Sequence, residues 1–185
     1  MRTKNVVVLP YDFNWSYEFG KIKRHIGKVL GDNIIEIEHV GSTSVEGLAA
    51  KPIIDLDVII ESYDNFEQVK AQLETLGYYH EGDLDVKGRE AFAYDENEKR
   101  EFMTHHLYVC PKDSEELKRH LTFRNYMRTN KEAVEKYSEI KLQAAKLYPK
   151  DIDSYCEYKS PCIIEIYKKI GLENLKKSIG IKEEK

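Results

Sequence analysis

Two aspartates inside an apolar run constrain this chain more than any other feature. The run Ile53–Ile60 reads IIDLDVII, with Asp55 and Asp57 two positions apart. Successive side chains of a strand point to opposite faces, so both carboxylates fall on one face, with Cα atoms about 7 Å apart. Two ionised carboxylates among isoleucines are costly unless cations neutralise them. We therefore predict a strand that presents a metal site, whose oxygen ligands suit Mg²⁺ or Mn²⁺.

A glycine-serine turn precedes the aspartate strand. Gly41 can adopt backbone angles that are closed to other residues, and Ser42, Thr43 and Ser44 follow it. We predict a strand over residues 34–40, then this turn, then a short helical segment whose first N–H groups bind phosphate. The turn and the carboxylates together predict a site for a metal ion and a phosphorylated ligand.

His39 continues the apolar face of the strand that leads into the turn, with Ile35 and Ile37. One interpretation is a core histidine bonded to backbone, which is the more ordinary role. The other is a group that orients the phosphate turn or the carboxylates. Both interpretations stay open from the sequence.

The remaining elements follow from hydrophobic periodicity and from helix start and stop signals. Helices are predicted over residues 12–30, 64–76, from 113 and over 131–148, and strands over residues 53–60, 78–80, 91–94 and 104–110. Residues 81–90 are predicted as a loop and residues 95–99 as a turn. Asp113 and Glu116 resemble a capping pair. A short helical turn over residues 151–158 precedes a last helix, with Ser160 as N-cap and Pro161 at its first position.

Five basic residues are candidates for an anion pocket near Ser42. Arg124 and Lys141 each fall on the apolar face of a predicted helix. Such a cation either packs its stem on apolar surface with its charge in water, or lines a pocket. Because several occur together, we predict that at least three line one pocket. The five are Lys51, Arg89, Arg124, Lys141 and Lys159.

The spacing of these motifs resembles that of polymerase-β-type nucleotidyltransferases. Gly41-Ser42, a gap of 12 residues, and Asp55-Leu56-Asp57 match the signature in which a turn holds the triphosphate and the aspartates bind metal. The longer string HVGSTSVEGLAAKPIIDLDV, with GREAFAY, HHLYVC, LTFRNYMR and YCEYKSPCIIEI, resembles the GrpB family over residues 6–171. Arg89, Arg124, Lys141 and Lys159 match basic positions of its pattern. Some members of that family occur fused to dephospho-coenzyme A kinase.

The resemblance and the order of elements imply an α+β (α/β) fold. We expect a nucleotidyltransferase-like mixed β-sheet flanked by helices, with further helices at the C-terminal end. Residues 1–171 are predicted to form a single domain, followed by a charged tail over residues 172–185.

The superfamily pattern also implies a third carboxylate on a neighbouring strand, and this chain departs from it. The predicted strand THHLYVC has no acidic residue; His106 and Tyr108 share one face, and His105 and Leu107 the other. His106 is a candidate base or metal ligand, since neutral imidazole serves as either. A core or rim histidine is the alternative. Tyr108 and Tyr155 complete the predicted pocket.

Composition narrows the classes of partner. The chain has 185 residues and a formal net charge of −4, which argues against a nucleic-acid coat. Three cysteines without a secretory signal favour reduced thiols and a cytoplasmic location. No run approaches the ~18 apolar residues of a membrane span. The expected partner is a nucleotide or another phosphorylated small molecule.

Three functions stay open from the sequence. The first is a metal-dependent nucleotidyltransferase with an unknown acceptor. The second is a non-catalytic nucleotide- or phosphate-binding module of the same fold, linked to coenzyme A metabolism. The third is a scaffold in which the aspartates are a capped structural pair.

Overall fold

One mixed β-sheet organises the computed structural model, which describes residues 5–95 and 101–172. Its strands are β1 (Glu36–Val40), β2 (Ile54–Ile60), β3 (Tyr78–Gly82), β4 (Glu90–Tyr94) and β5 (His105–Pro111). They lie in the order β1-β2-β5-β4-β3, and of the neighbouring pairs only β2 and β5 are parallel. The helices are α1 (Asn14–Leu30), α2 (Phe66–Glu74), α3 (Glu115–Thr129), α4 (Lys131–Leu147) and α5 (Ile152–Lys169). The predicted α+β fold with C-terminal helices is confirmed.

Successive side chains of β2 point to opposite faces of the sheet, so the main core and the two aspartates lie on different sides of it. Leu56 and Val58 are fully buried in a core that also contains the apolar stripes of α1 and α2. Trp15, Ile22 and Ile26 recur at helical spacing on α1 and supply one of these stripes. Asp55 and Asp57 have the opposite parity in β2 and therefore lie on the other face of the sheet.

Helix α3 covers the aspartate face. Leu117 of α3 packs with Ile59 and Cys110, which lie on β2 and β5. The N-cap of α3 is Ser114, whose Oγ accepts a hydrogen bond from the Leu117 N–H at 3.3 Å. The predicted capping role of Asp113 is therefore wrong by one residue.

The predicted break before the last helix is also wrong. Helix α5 is continuous, and Pro161 lies inside it. The Ser160 hydroxyl donates to the Cys156 carbonyl at 2.6 Å, one turn back, instead of capping a new helix. Buried side chains on both sides of the proline explain the difference, because Tyr155 and Ile163 pack against the rest of the molecule and hold the helix through that point.

Smaller differences concern the edges of elements. Ile35 precedes β1 and is 52 % exposed, so it does not share the buried face of Ile37. The predicted loop over residues 81–90 contributes its ends to β3 and β4. Residues 96–99 of the predicted turn, and the tail beyond residue 172, lie outside the described residues. Within the described ranges, no helix has both the length and the apolar character to cross a membrane.

Candidate functional site

Gly41 brings the turn against the first aspartate. Val40 pairs with Asp55 across β1 and β2, and Gly41 follows with φ +68°. A Cβ atom at Gly41 would lie 2.2 Å from Asp55 Oδ2, so a side chain larger than hydrogen cannot fit there. The backbone angle and the close contact both require glycine.

The predicted short helical segment after Gly41 is a single turn. Ser42–Ser44 form a single 3₁₀ turn, in which the N–H groups of Ser44 and Val45 bond the carbonyls of Gly41 and Ser42. A turn of this length carries little helix dipole, so an anion here depends mainly on side chains. Ser42 is the hydroxyl residue of the turn that lines both cavities described below.

His39 contacts the turn through a hydrogen bond to Thr43. Its ring stacks on Phe19 with centroids 4.5 Å apart, and its Nε2 lies 3.1 Å from Thr43 Oγ1. Thr43 donates its one hydroxyl proton to the Ile53 carbonyl, so His39 Nε2–H must be the donor to Thr43. Burial lowers the pKa of His39 to about 4, which keeps the ring neutral. His39 is thus buried, as the first interpretation has it, but its ring bonds the Thr43 side chain of the turn and not backbone.

Two arginines of α3 hold the same turn. Arg124 donates to Glu38 Oε2 at 2.6 Å and to the His39 carbonyl at 2.9 Å. Arg128 donates twice to the Ser44 carbonyl, at 3.0 and 2.9 Å. Ser44 Oγ donates to the Gly41 carbonyl at 2.6 Å. Ser44 thus makes structural contacts within the turn and Arg124 makes them with β1 just before it, and both residues lie outside the lining of the two cavities.

Asp55 is held by a histidine of the neighbouring strand β5. His106 lies beside it across β2 and β5, and His106 Nδ1 is 2.8 Å from Asp55 Oδ1. Burial favours the neutral form of Asp55, but the hydrogen bond from His106 and nearby positive charges outweigh it and lower the pKa of the carboxyl. Asp55 is therefore an anion with one oxygen occupied by imidazole.

Asp57 is completely buried and paired with a histidine that the sequence analysis missed. His120 Nδ1 is 2.7 Å from Asp57 Oδ2, and His120 Nε2 is 3.3 Å from Glu116 Oε1. Burial acts to lower the pKa of His120, but these two carboxylates raise it to about 9. Glu116 is bonded in turn by Arg119, which also donates to the Tyr167 hydroxyl. Groups of alternating charge thus follow one another from Asp57 through His120 and Glu116 to Arg119.

The donor set allows one divalent cation and argues against a larger metal cluster. Asp57 Oδ1 is buried without a hydrogen-bond partner, which is the kind of oxygen that a cation would satisfy. Among the described residues, no group of three or more acidic, histidine or cysteine side chains is placed to hold a metal. Asp55 and Asp57 would therefore supply two ligands, and phosphate and water the rest, as Mg²⁺ often accepts.

Two cavities meet at Ser42, Asp55 and Lys159, which line both. The first, of about 280 Å³, has aromatic walls and is called here the aromatic cavity. The second, of about 180 Å³, contains three ammonium groups and is called the lysine cavity. The aromatic cavity is also lined by Arg89, Tyr108, Arg119, His120, Phe123 and Tyr167. The lysine cavity is also lined by Thr43, Lys51, His106, Lys141 and Tyr155.

The lysine cavity has more positive than negative charge. In the described part of the chain neither Lys141 nor Lys159 forms an ion pair; each ammonium lies over a tyrosine ring, 5.0 and 5.2 Å from the centroid. Lys141 is only 3 % exposed. Burial lowers its pKa well below the usual range, and the charge of Lys159 acts in the same direction. Asp55 is the acidic side chain of this cavity, and His106 already engages it.

The structure thus brings together most, but not all, of the predicted site. Four of the five predicted cations line the two cavities, and Arg124 does not; their binding of an anion stays a prediction. The missed residues carried a signal in the sequence. Glu116, His120 and Arg124 follow one another at intervals of four, so they form a polar stripe along one face of α3.

A family model describes nearly the whole chain. The model "GrpB protein" matches residues 5–169. The chain belongs to the GrpB family. It is 32 % identical over 162 residues to the glutamate-rich protein GrpB of Alkalihalophilus pseudofirmus, covering 87 % of this chain and 93 % of that one. It is also 32 % identical to the UPF0157 protein YqkA of Bacillus subtilis, over 86 % of this chain, and there it spans 46 % of the relative's length.

Solved structures give the same family and the wider fold. A crystal structure of the conserved protein GrpB from Enterococcus faecalis superposes with a TM-score of 0.75 at 32 % identity, covering 88 % of this chain and 98 % of that one. The Cid1 poly(U) polymerase bound to MgATP has a TM-score of 0.53 at 11 % identity, over 74 % of this chain and 44 % of that one. The second likeness concerns the fold alone. Dephospho-CoA kinase of Mycobacterium tuberculosis is similar over 74 residues, 30 % identical, which is 38 % of this GrpB protein and 18 % of the kinase.

Proposed function

We propose that this GrpB protein binds a nucleotide or similar phosphorylated molecule with Mg²⁺ or Mn²⁺ and transfers its nucleotidyl group to an acceptor. The observation that carries the proposal is the meeting of the two cavities at Ser42 and Asp55. One cavity offers the amino groups of Lys141 and Lys159, which form no ion pair in the described part of the chain, and the shared wall offers the Asp55 carboxylate, which a divalent cation would neutralise. Cid1, of the same fold, is a poly(U) polymerase solved with MgATP.

Phosphate groups suit the lysine cavity because of its charge. Lys141 and Lys159 have no carboxylate partner in the described part of the chain, and a polyphosphate would supply the negative charge that favours their protonated forms. Ser42 adds a hydroxyl to the lining of the cavity. Leaving the Lys141 side chain buried without an ion pair destabilises the fold, which is reasonable where a ligand completes the charge balance.

Asp55 and Asp57 would hold the divalent cation, which supplies charge neutralisation at the phosphate oxygens when it is bound. His106 holds Asp55 through its Nδ1–H, and its Nε2 is left to accept a proton in the neutral ring. The Asp55–His106 pair is thus the group of this chain that can take a proton from the attacking acceptor. It stands where the superfamily pattern has a third carboxylate.

A non-catalytic binding module is the second candidate, and His120 is the observation that favours it. The His120 ring occupies Asp57 Oδ2, an oxygen that a second metal ion would need. A site limited to one cation can bind a nucleotide without transferring it. This module would bind nucleotide only in the presence of metal and would release no pyrophosphate.

Calorimetry with Mn²⁺ and each nucleoside triphosphate tests the metal site. We expect at least one nucleotide to bind only with Mn²⁺, and Asp55→Asn and Asp57→Asn each to weaken that binding at least tenfold, because each removes a charged ligand. Asp113→Asn, at an exposed position beside α3, is the matched control and should change nothing. Equal binding by the aspartate variants and the wild type would exclude the site.

Pyrophosphate release separates transfer from binding alone. The pure protein is incubated with the bound nucleotide, Mn²⁺ and a mixture of small hydroxyl and amine acceptors. We expect acceptor-dependent pyrophosphate that disappears in Asp55→Asn. Metal-dependent binding without any pyrophosphate would select the binding module, and a signal that survives Asp55→Asn would mark a contaminating enzyme.

A further inference from the structure

The guanidinium of Arg89 in the aromatic cavity has donors that the protein does not use. It lies over the Tyr108 ring, with Cζ 4.3 Å from the centroid, and its Nε is buried without a hydrogen-bond partner. Its nearest acid is Glu116, where the closest approach is 3.7 Å, beyond hydrogen-bond distance. Glu116 is already bonded by Arg119 and His120. Arg89 is thus a largely buried cation, 13 % exposed, that lacks a sufficient counter-charge.

The backbone fixes Arg89 in this position. Ser114 Oγ donates to the Gly88 carbonyl at 2.7 Å while it caps α3, so the residue before Arg89 is attached to the start of that helix. Gly88 has φ +83°, and a Cβ there would lie 3.0 Å from Ser114 Oγ. The Gly88–Ser114 bond fixes the backbone before Arg89, and the Tyr108 ring contacts its guanidinium. The side chain is therefore preorganised for an anion, because it loses little conformational freedom on binding.

The cavity around Arg89 suits a compact organic molecule. Its volume of about 280 Å³ is near the lower end of small-molecule pockets. Tyr108, Phe123 and Tyr167 give it flat apolar walls. A nucleic-acid strand needs an extended cationic groove, whereas this cavity is small and is lined by aromatic as well as basic residues of helices α3 and α5.

In-line transfer assigns the aromatic cavity to the acceptor. The attacking and leaving oxygens lie on opposite sides of the phosphorus. If the leaving pyrophosphate occupies the lysine cavity, the attacking group enters from the aromatic cavity, which Ser42 and Asp55 also line. This step rests on the transfer function proposed above.

We propose that the acceptor is a small organic anion, which places its carboxylate or phosphate on Arg89 and its body between the tyrosine and phenylalanine rings. Its hydroxyl oxygen forms a bond to the α-phosphorus of the nucleotide. The bond between that phosphorus and the bridging oxygen breaks, and its electron pair leaves with pyrophosphate. The hydroxyl proton passes to the Asp55–His106 pair.

Binding of simple probes tests the anion subsite directly. NMR line broadening is measured for phenyl phosphate, benzoate and the neutral benzyl alcohol, with ATP–Mn²⁺ affinity measured in parallel. We expect one or both anions to bind and the alcohol not to bind. Arg89→Gln should weaken anion binding at least tenfold, since a charge-assisted pair is lost. Phenyl phosphate alone would identify the acceptor's group as phosphate, and benzoate alone as carboxylate.

Two further variants control this test. Lys118→Gln removes one positive charge from the exposed side of α3 and should leave both affinities unchanged. Arg89→Lys keeps the charge without the planar fork and should give an intermediate loss. ATP–Mn²⁺ affinity should be the same in all variants, because Arg89 does not line the lysine cavity.

The inference is overturned if the alcohol binds as well as the anions, if neither anion binds, or if Arg89→Gln binds them as the wild type does. An Arg89→Gln protein that loses ATP–Mn²⁺ equally would also overturn it, because the subsite would then belong to the nucleotide. Failure of the wild type to bind any nucleotide contradicts the proposed function instead, whatever the anion probes do.

Discussion

Gly41→Ala is expected to abolish metal-dependent nucleotide binding and to destabilise the protein by about 3 kcal/mol or more. The added methyl would lie 2.2 Å from Asp55 Oδ2, so either the turn or the aspartate must move. The φ of +68° adds strain for any side chain, of order 1–3 kcal/mol. Because Ser42 and Asp55 line both cavities, that movement disrupts each of them. Calorimetry with ATP–Mn²⁺ and denaturant unfolding measure the two effects.

Gly31→Ala is the matched control for this experiment. Gly31 also has a positive φ, +53°, but a Cβ there meets nothing within 4 Å. The control should therefore lose stability through backbone strain alone and keep its nucleotide affinity. Equal nucleotide affinity in Gly41→Ala and Gly31→Ala would remove the Gly41–Asp55 contact from the binding site.

Lys141→Met is expected to raise stability by about 1–3 kcal/mol while it weakens nucleotide binding about a hundredfold. The substitution keeps the apolar stem and removes an ammonium that is buried without an ion-pair partner in the described residues. The same ammonium is one of three in the lysine cavity, so phosphate loses a close cation. A residue that costs stability and supports binding is typical of a functional site. Lower stability together with unchanged affinity would give Lys141 a purely structural role.

The pH dependence of stability tests whether burial of the Lys141 amino group causes the expected gain in stability. The pKa of Lys141 in the folded protein is well below the ordinary value, about 10.4 for lysine in unfolded chains. Between the two pKa values the unfolded chain binds more protons, so this group makes the free energy of unfolding rise with pH. Lys141→Met should show a smaller rise between pH 7 and 10 than the wild type. Identical slopes would contradict burial as the origin of the effect.

Local sequence patterns were enough to predict the elements of the fold and half of the candidate site, namely the aspartates of β2 and the Gly41-Ser42 turn. The period-two alternation of β2 separates Leu56 and Val58 from Asp55 and Asp57, and this requires no knowledge of the rest of the chain. The Gly41-Ser42 turn is equally local. The resemblance to GrpB added the order of elements, and the sheet and its C-terminal helices agree with it.

Long-range pairing was the part that the sequence could not predict. Asp57 meets His120 across 63 positions, and Arg124 meets the His39 carbonyl across 85. The role of a cation such as Arg124 depends on which face of α3 lies against the sheet. Hydrophobic periodicity shows that a face is buried, but it does not show which element that face contacts. The Pro161 error has the same origin, since packing on both sides of α5 outweighed a local start signal.

These separations also set the order in which the site forms during folding. Gly41 and Asp55 lie 14 positions apart and meet when β1 and β2 pair, whereas Asp55 and His106 are 51 apart. Closing the longer loops costs more chain entropy, so the contacts that neutralise the aspartates form after the sheet has begun to assemble. A nascent chain that has not yet made α3 carries both carboxylates without their histidine partner from that helix. The contacts between the aspartates and their histidines are therefore expected to form late in folding, and they should govern the rate of unfolding more than the rate of folding.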